Sequence, residues 1–144
     1  MTSFHDVAEF SIRLSELPAV RALVERAVTQ GGFPAALLNR LQIAVDEAVT
    51  NIIEHGFSNQ PAESASFTVR IDANPDEFRV EILDNGVRYQ LPNLDDIDIQ
   101  RHVASGRNGG LGVFLMRRIM DVVDYQYETG RHNRLLMVKK RPAG

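Results

Sequence analysis

Cysteine is absent from the 144-residue chain, which excludes a disulfide framework, a thiolate metal site and a thiol nucleophile. A surplus of basic charge is missing too. Sixteen Lys and Arg stand against 19 Asp and Glu, a net charge of -3, so nothing in the balance points to a nucleic-acid partner. No apolar run approaches the roughly 20 residues needed to cross a bilayer. The first residues, Met1 to Asp6, also lack the basic start and apolar core of a signal peptide. These absences lead to the expectation of a cytoplasmic chain without membrane contact. What is present suits a globular protein: 44% of residues are hydrophobic and 24% charged. The length fits one domain spanning 1–144, able to bury about 68–70% of its unfolded surface.

Ala8, Phe10, Ile12 and Leu14 alternate with Glu9, Ser11 and Arg13, the period-two pattern of a half-buried strand. After Pro18, Val20, Leu23, Val24, Ala27 and Val28 recur at helical spacing, and Gly31-Gly32 stops that helix. Pro34 suits the first turn of a second helix, which runs through Leu37, Leu41, Ala44, Val45, Ala48 and Ile52 to about His55. A polar turn, Ser58 to Ser64, leads to two strand-like runs, Phe67-Val69-Ile71 and Phe78-Val80-Ile82, around a hairpin turn at Asn74-Pro75-Asp76. From Asn85 to Gly110 the pattern is irregular and acidic at Asp95, Asp96 and Asp98, as in a functional lid or binding loop or else a disordered segment. A third helix starts near Gly112, and strands at 122–128 and 135–139 close the chain around a turn at Gly130. The order predicts an α+β fold, with a helix layer on one face of a mostly antiparallel sheet.

Three polar elements carry candidate chemistry. Glu47 and Asn51 lie four apart on the second helix, with Glu54 and His55 a turn further on, so the pattern puts all four on one face. That spacing is also what any amphipathic helix supplies. A carboxylate there can take a proton from a hydroxyl, and an amide oxygen one turn away can ligate Mg²⁺. Asp84-Asn85-Gly86 follows a strand. It reads either as a plain turn or as a carboxylate held to accept from a base amino group. Gly109-Gly110-Leu111-Gly112 opens a helix, where free backbone N–H groups and the helix dipole favour phosphate, although a simple hinge has the same composition. No Gly-Lys-Ser/Thr follows and no βαβ unit surrounds it, so it is neither a Walker loop nor a Rossmann fingerprint.

Taken in order, Asp46-Glu47-Ala48-Val49-Thr50-Asn51-Ile52-Ile53-Glu54-His55-Gly56, Asp84-Asn85-Gly86 and Gly109-Gly110-Leu111-Gly112-Val113 resemble the anti-sigma-factor serine kinases of the RsbW and SpoIIAB kind. Those kinases belong to the GHKL superfamily, which shares the Bergerat, histidine-kinase-like ATPase fold. The resemblance spans nearly the whole chain and includes Leu115 to Asp121. It implies a two-layer α/β sandwich whose mostly antiparallel sheet is covered on one face by three helices. It implies Glu47 as general base and Asn51 as the Mg²⁺ ligand on the ATP phosphates. Asp84 would read the adenine amino group, Gly86 would lie beside the base, and Gly110 and Gly112 would bind phosphate. An ATP lid is implied at about 87–109. The implied partners are a STAS-type antagonist, which is phosphorylated, and a sigma factor, which is sequestered; a homodimer is implied as well. The chain departs from the family pattern at Arg88, which replaces the second glycine of the first glycine box.

Two rival readings follow from the same residues. One is a nucleotide-responsive regulatory module without kinase activity. The other is a histidine-kinase catalytic domain, which the lack of dimerisation helices with a phosphoacceptor histidine disfavours. His5, His55, His102 and His132 are scattered without metal-like spacing, and Ser3, Ser11 and Ser105 have no histidine that the sequence places beside them.

Overall fold

The computed structural model describes residues 2–56, 66–84, 108–127 and 133–143. Five strands, β1 (Phe4–Ser11), β2 (Ser66–Ala73), β3 (Glu77–Asp84), β4 (Val122–Tyr127) and β5 (Asn133–Lys140), form one sheet in the order β1-β2-β3-β5-β4. Every neighbouring pair is antiparallel. Three helices, α1 (Leu17–Gly31), α2 (Leu38–Asn51) and α3 (Asn108–Ile119), complete the α+β architecture that the sequence predicts.

Strict alternation along β2 and β3 sends Phe67, Val69, Ile71, Phe78, Val80 and Ile82 to the face where the core lies. On α1, Val20, Leu23, Val24, Ala27 and Val28 recur on one stripe and are almost wholly buried, and α1 packs on β1 and β2. Full burial of a side chain the size of valine or leucine contributes about 1.5–3 kcal/mol, so these two surfaces hold the layers together. Phe10 stacks on Phe67 with ring centroids 5.4 Å apart, which ties the edge strand β1 into the same core. α2 lies between α1 and α3, bringing Leu41, Ala44, Val45 and Ala48 into the core.

The ends of the elements have local causes. Glu16 accepts the Ser11 N–H at 3.1 Å, which turns the chain out of β1 and into a short 3-10 turn at Leu14–Glu16. Gly32 caps α1 at φ 77°, a left-handed angle that favours glycine, and its N–H reaches the Val28 carbonyl. At the β2–β3 hairpin, the Asn74 side-chain oxygen accepts the N–H groups of Asp76 and Glu77 at 2.8 and 2.9 Å.

Three boundaries differ from the sequence reading. β1 runs from Phe4 to Ser11 rather than through Ile12 and Leu14, because its pairing with β2 ends at Ser11–Ser66. Leu14 falls in the following turn and is exposed. α3 begins at Asn108, so the glycines form its opening turns instead of preceding it. The second helix ends its α-helical course at Asn51, and the chain continues as a π-helix over Ile52–Gly56. The polar turn at 58–64, Gly86, Arg88, the turn at Gly130 and the predicted lid up to residue 107 lie outside the described residues.

Candidate functional site

The candidate polar residues stand at the ends of two elements, Glu47 and Asn51 in the last turns of α2 and Asp84 at the end of β3. Glu47 lies half-buried on α2, and Asn51, the last α-helical residue, is 5% exposed. Ala48 and Val49 between them are buried, so the Asn51 amide is carried at the margin of the apolar core. The π-helix changes the predicted stripe. Its wider turn carries Glu54 out of line with Asn51, and Glu54 is exposed. Glu47 and Asn51 therefore share a face as their spacing requires, whereas Glu54 does not continue it. π-turns are uncommon and recur at functional sites, which makes this departure from regular helix informative.

Asp84 ends β3 on the helix-facing side, opposite Phe67 on β2 and Asn133 on β5. Asp84 is buried, 7% exposed, and its Oδ1 accepts the Asn133 Nδ2 at 2.9 Å. A carboxylate held within a sheet keeps one orientation in a way that a loop carboxylate does not. α3 packs against α2 and brings Gly110 and Gly112 to its N-terminal end. The first four N–H groups of a helix have no intrahelical acceptor, so the opening turn at Asn108–Leu111 is chemically suited to an anion.

A cross-helix pair lies beside the candidate base. Arg21 on α1 donates through Nε to Asp46 Oδ2 at 2.7 Å, and Gln42 Nε2 donates to the Arg21 carbonyl at 3.2 Å. Both bonds fix the turn of α2 that precedes Glu47. Asp46 thus faces α1, and its role in the Asp46-Glu47 motif is to brace the helix.

The donors available for a cation suit Mg²⁺. Among the described residues, no group of three or more His, Asp or Glu could enclose a metal. Asn51 offers a single carboxamide oxygen, so a cation there would draw its other ligands from phosphate and water. Mg²⁺ behaves this way, since it keeps several waters and usually bridges substrate phosphates. Of the four histidines, His5 is engaged by Asp72 across β1 and β2.

A carboxylate on a central strand, an amide at the end of a helix and a glycine-rich helix start are each chemically suited to part of a nucleotide. The family comparison agrees: residues 10–139 match the model of the histidine kinase-like ATPase domain. The chain belongs to this family. Among its relatives, the serine-protein kinase RsbW of Listeria monocytogenes is 29% identical over 138 residues, covering 90% of this chain and 85% of that protein. The serine/threonine-protein kinase BtrW of Bordetella bronchiseptica is 26% identical over 142 residues and covers 99% of both. Among solved structures, the RsbU and RsbW domains of a Mycobacterium tuberculosis protein superpose with a TM-score of 0.60 at 13% identity. That match covers 96% of this chain and 34% of the longer one, and it supports the fold alone. The expected resemblance to RsbW-type kinases within the GHKL superfamily is thereby borne out, as is the α+β fold. Among the described residues, no helix of this histidine kinase-like ATPase domain is long and apolar enough to cross a membrane.

The sequence reading passed over two residues of this region, Asn133 and Arg21. Asn133 had a signal: it occupies an inward position in the alternation Asn133, Leu135, Met137, where an apolar residue is the rule. Arg21 had none, because its partner lies 25 residues away on another helix.

Proposed function

We propose that the chain is an ATP-dependent serine protein kinase of the RsbW type, folded as one domain with its lid at about 87–109. It would phosphorylate a STAS-type antagonist and sequester a sigma factor, acting in the cytoplasm as a homodimer. The observation that carries this reading is the burial of Asn51 and Asp84 at the ends of α2 and β3. Polar side chains are seldom buried unless they have work to do or a bond to make.

The roles follow from the chemistry of each group. Asp84 accepts from the exocyclic amino group of adenine, with Gly86 beside the ring, while the backbone at Gly110 and Gly112 receives the phosphates. Asn51 would hold Mg²⁺, which would neutralise phosphate charge when bound. Glu47 accepts the proton of the incoming serine hydroxyl as its oxygen bonds to the γ-phosphorus. The bond from that phosphorus to the β–γ bridging oxygen breaks, and ADP leaves with the electron pair. Phosphoryl transfer of this kind depends mostly on positioning and charge stabilisation, which a rigid helix and sheet provide.

Calorimetric titration with ATP and ADP, with and without Mg²⁺, tests the pocket on the native chain and on Asp84→Asn. Mg²⁺-dependent binding that the substitution abolishes is expected. Transfer of labelled γ-phosphate to a serine of the partner tests the enzyme, and Glu47→Ala should lower that rate by about 10²–10⁴ while leaving ATP binding intact. Binding without any transfer would favour the nucleotide-responsive module, and no binding at millimolar nucleotide would overturn both readings.

A further inference from the structure

Asn133 opens β5 at the position paired with Asp84 in the β3–β5 register. Both side chains are buried, Asn133 at 2% exposure and Asp84 at 7%, and the Asn133 Nδ2 lies 2.9 Å from Asp84 Oδ1. A carboxylate oxygen accepts, so the amino half of the amide must face it. The next inward residues of β5, Leu135 and Met137, are apolar and buried. Packing alone would therefore be served by another apolar side chain at 133. The amide is explained by what it does to Asp84.

We propose that Asn133 is a positioning residue for base selection. By holding Oδ1 it fixes the plane of the Asp84 carboxylate, which then presents Oδ2 to the exocyclic amino group of a 6-aminopurine. The proposal rests on the reading of Asp84 as the group that recognises the base. A 6-oxopurine puts a carbonyl oxygen where the amino group would be, so acceptor meets acceptor. It also carries a ring N–H that a rotated carboxylate would capture. Locking the carboxylate denies it that alternative, so the lock should set selectivity as well as affinity.

ATP and inosine triphosphate differ in this respect, and their affinities can be compared by calorimetry on the full chain. The native protein is expected to prefer ATP by on the order of 10²-fold or more. Asn133→Leu, which removes the donor and keeps a side chain of similar size, should weaken ATP binding by about 10-fold and narrow the ATP/ITP ratio by a similar factor. Asn133→Ala removes the same donor and decides the question should the leucine variant fail to fold. A residue with only a structural role would weaken both nucleotides alike. An unchanged ratio in a folded variant, with the native protein selective and Asp84→Asn unable to bind, overturns the role of Asn133 alone. A native protein that does not distinguish the two nucleotides overturns the reading of Asp84 itself, and this inference with it.

Discussion

Gly31, the last residue of α1, lies so close to Ala73 at the end of β2 that a Cβ built on it would come within 2.8 Å of both the Ala73 Cβ and its carbonyl oxygen. The crossing of helix over sheet is set at this point by the absence of a side chain. Gly31→Ala gains helix propensity, worth up to about 1 kcal/mol in a helix interior and less at its end. It forces atoms into a backbone carbonyl that cannot give way, and overpacking of this kind costs about 1–3 kcal/mol. The clash should win, and thermal unfolding should move down by roughly 3–10 °C. Gly32→Ala is the control. Its Cβ would meet Pro75 and Thr2 at ordinary distances of 3.4 and 3.5 Å, leaving only the strain of φ 77°. A larger loss at Gly32 than at Gly31 would show that close packing against Ala73 does not limit the site.

Asn51→Ala should uncouple nucleotide from metal. ATP affinity in excess Mg²⁺ is expected to fall to the value measured in EDTA, while the EDTA value itself stays near that of the native chain. The asymmetry separates loss of a ligand from damage to the pocket, which would lower both. If Mg²⁺ still strengthens ATP binding to the variant, the ligand lies elsewhere.

Glu81 sits on the face of the sheet away from the core, with its side chain only 13% exposed. Its carboxylate bonds Arg134 at 2.9 Å and has Arg70 and Arg79 each at 4.0 Å, from its own strand and both neighbours. Three cations around one acid form a network rather than an isolated surface pair, so Glu81→Gln should lower stability by about 1 kcal/mol at low salt. That difference should shrink but not vanish near about 1 M salt, where the screening length is roughly 3 Å, because the partly buried Arg134 contact is screened less than the two longer pairs. Denaturant midpoints at two salt concentrations measure it. A salt-independent difference would trace the effect to packing instead.

Most of the architecture was legible in the sequence because local pattern and global fold agree. The alternation in β2 and β3, the stripe on α1, the Gly32 cap and the Asn74 turn each encode their own outcome within a few residues. The site was half legible. Glu47 and Asn51 stand out by their four-residue spacing on a helix, and Asp84 by closing an alternating strand. The π-helix left no mark, since nothing in the run Ile52-Ile53-Glu54-His55 departs from what an α-helix accepts. Asn133 was readable only as a violation of alternation. Its meaning depends on the strand order, which places β5 beside β3 and not beside its neighbours in sequence alone.

That strand order has a further consequence. β3 is the middle strand of five, so its backbone amides are shielded on both sides by β2 and β5. In native-state hydrogen exchange such a strand opens only when the whole domain does, and Asp84 is anchored to it. Glu47 and Asn51 sit instead just ahead of a π-helical turn, whose bonds close over five residues rather than four. The part of the candidate site that would recognise a base is fastened to the most shielded strand of the sheet, and the part that would handle the phosphates adjoins a π-helical turn of the helix layer.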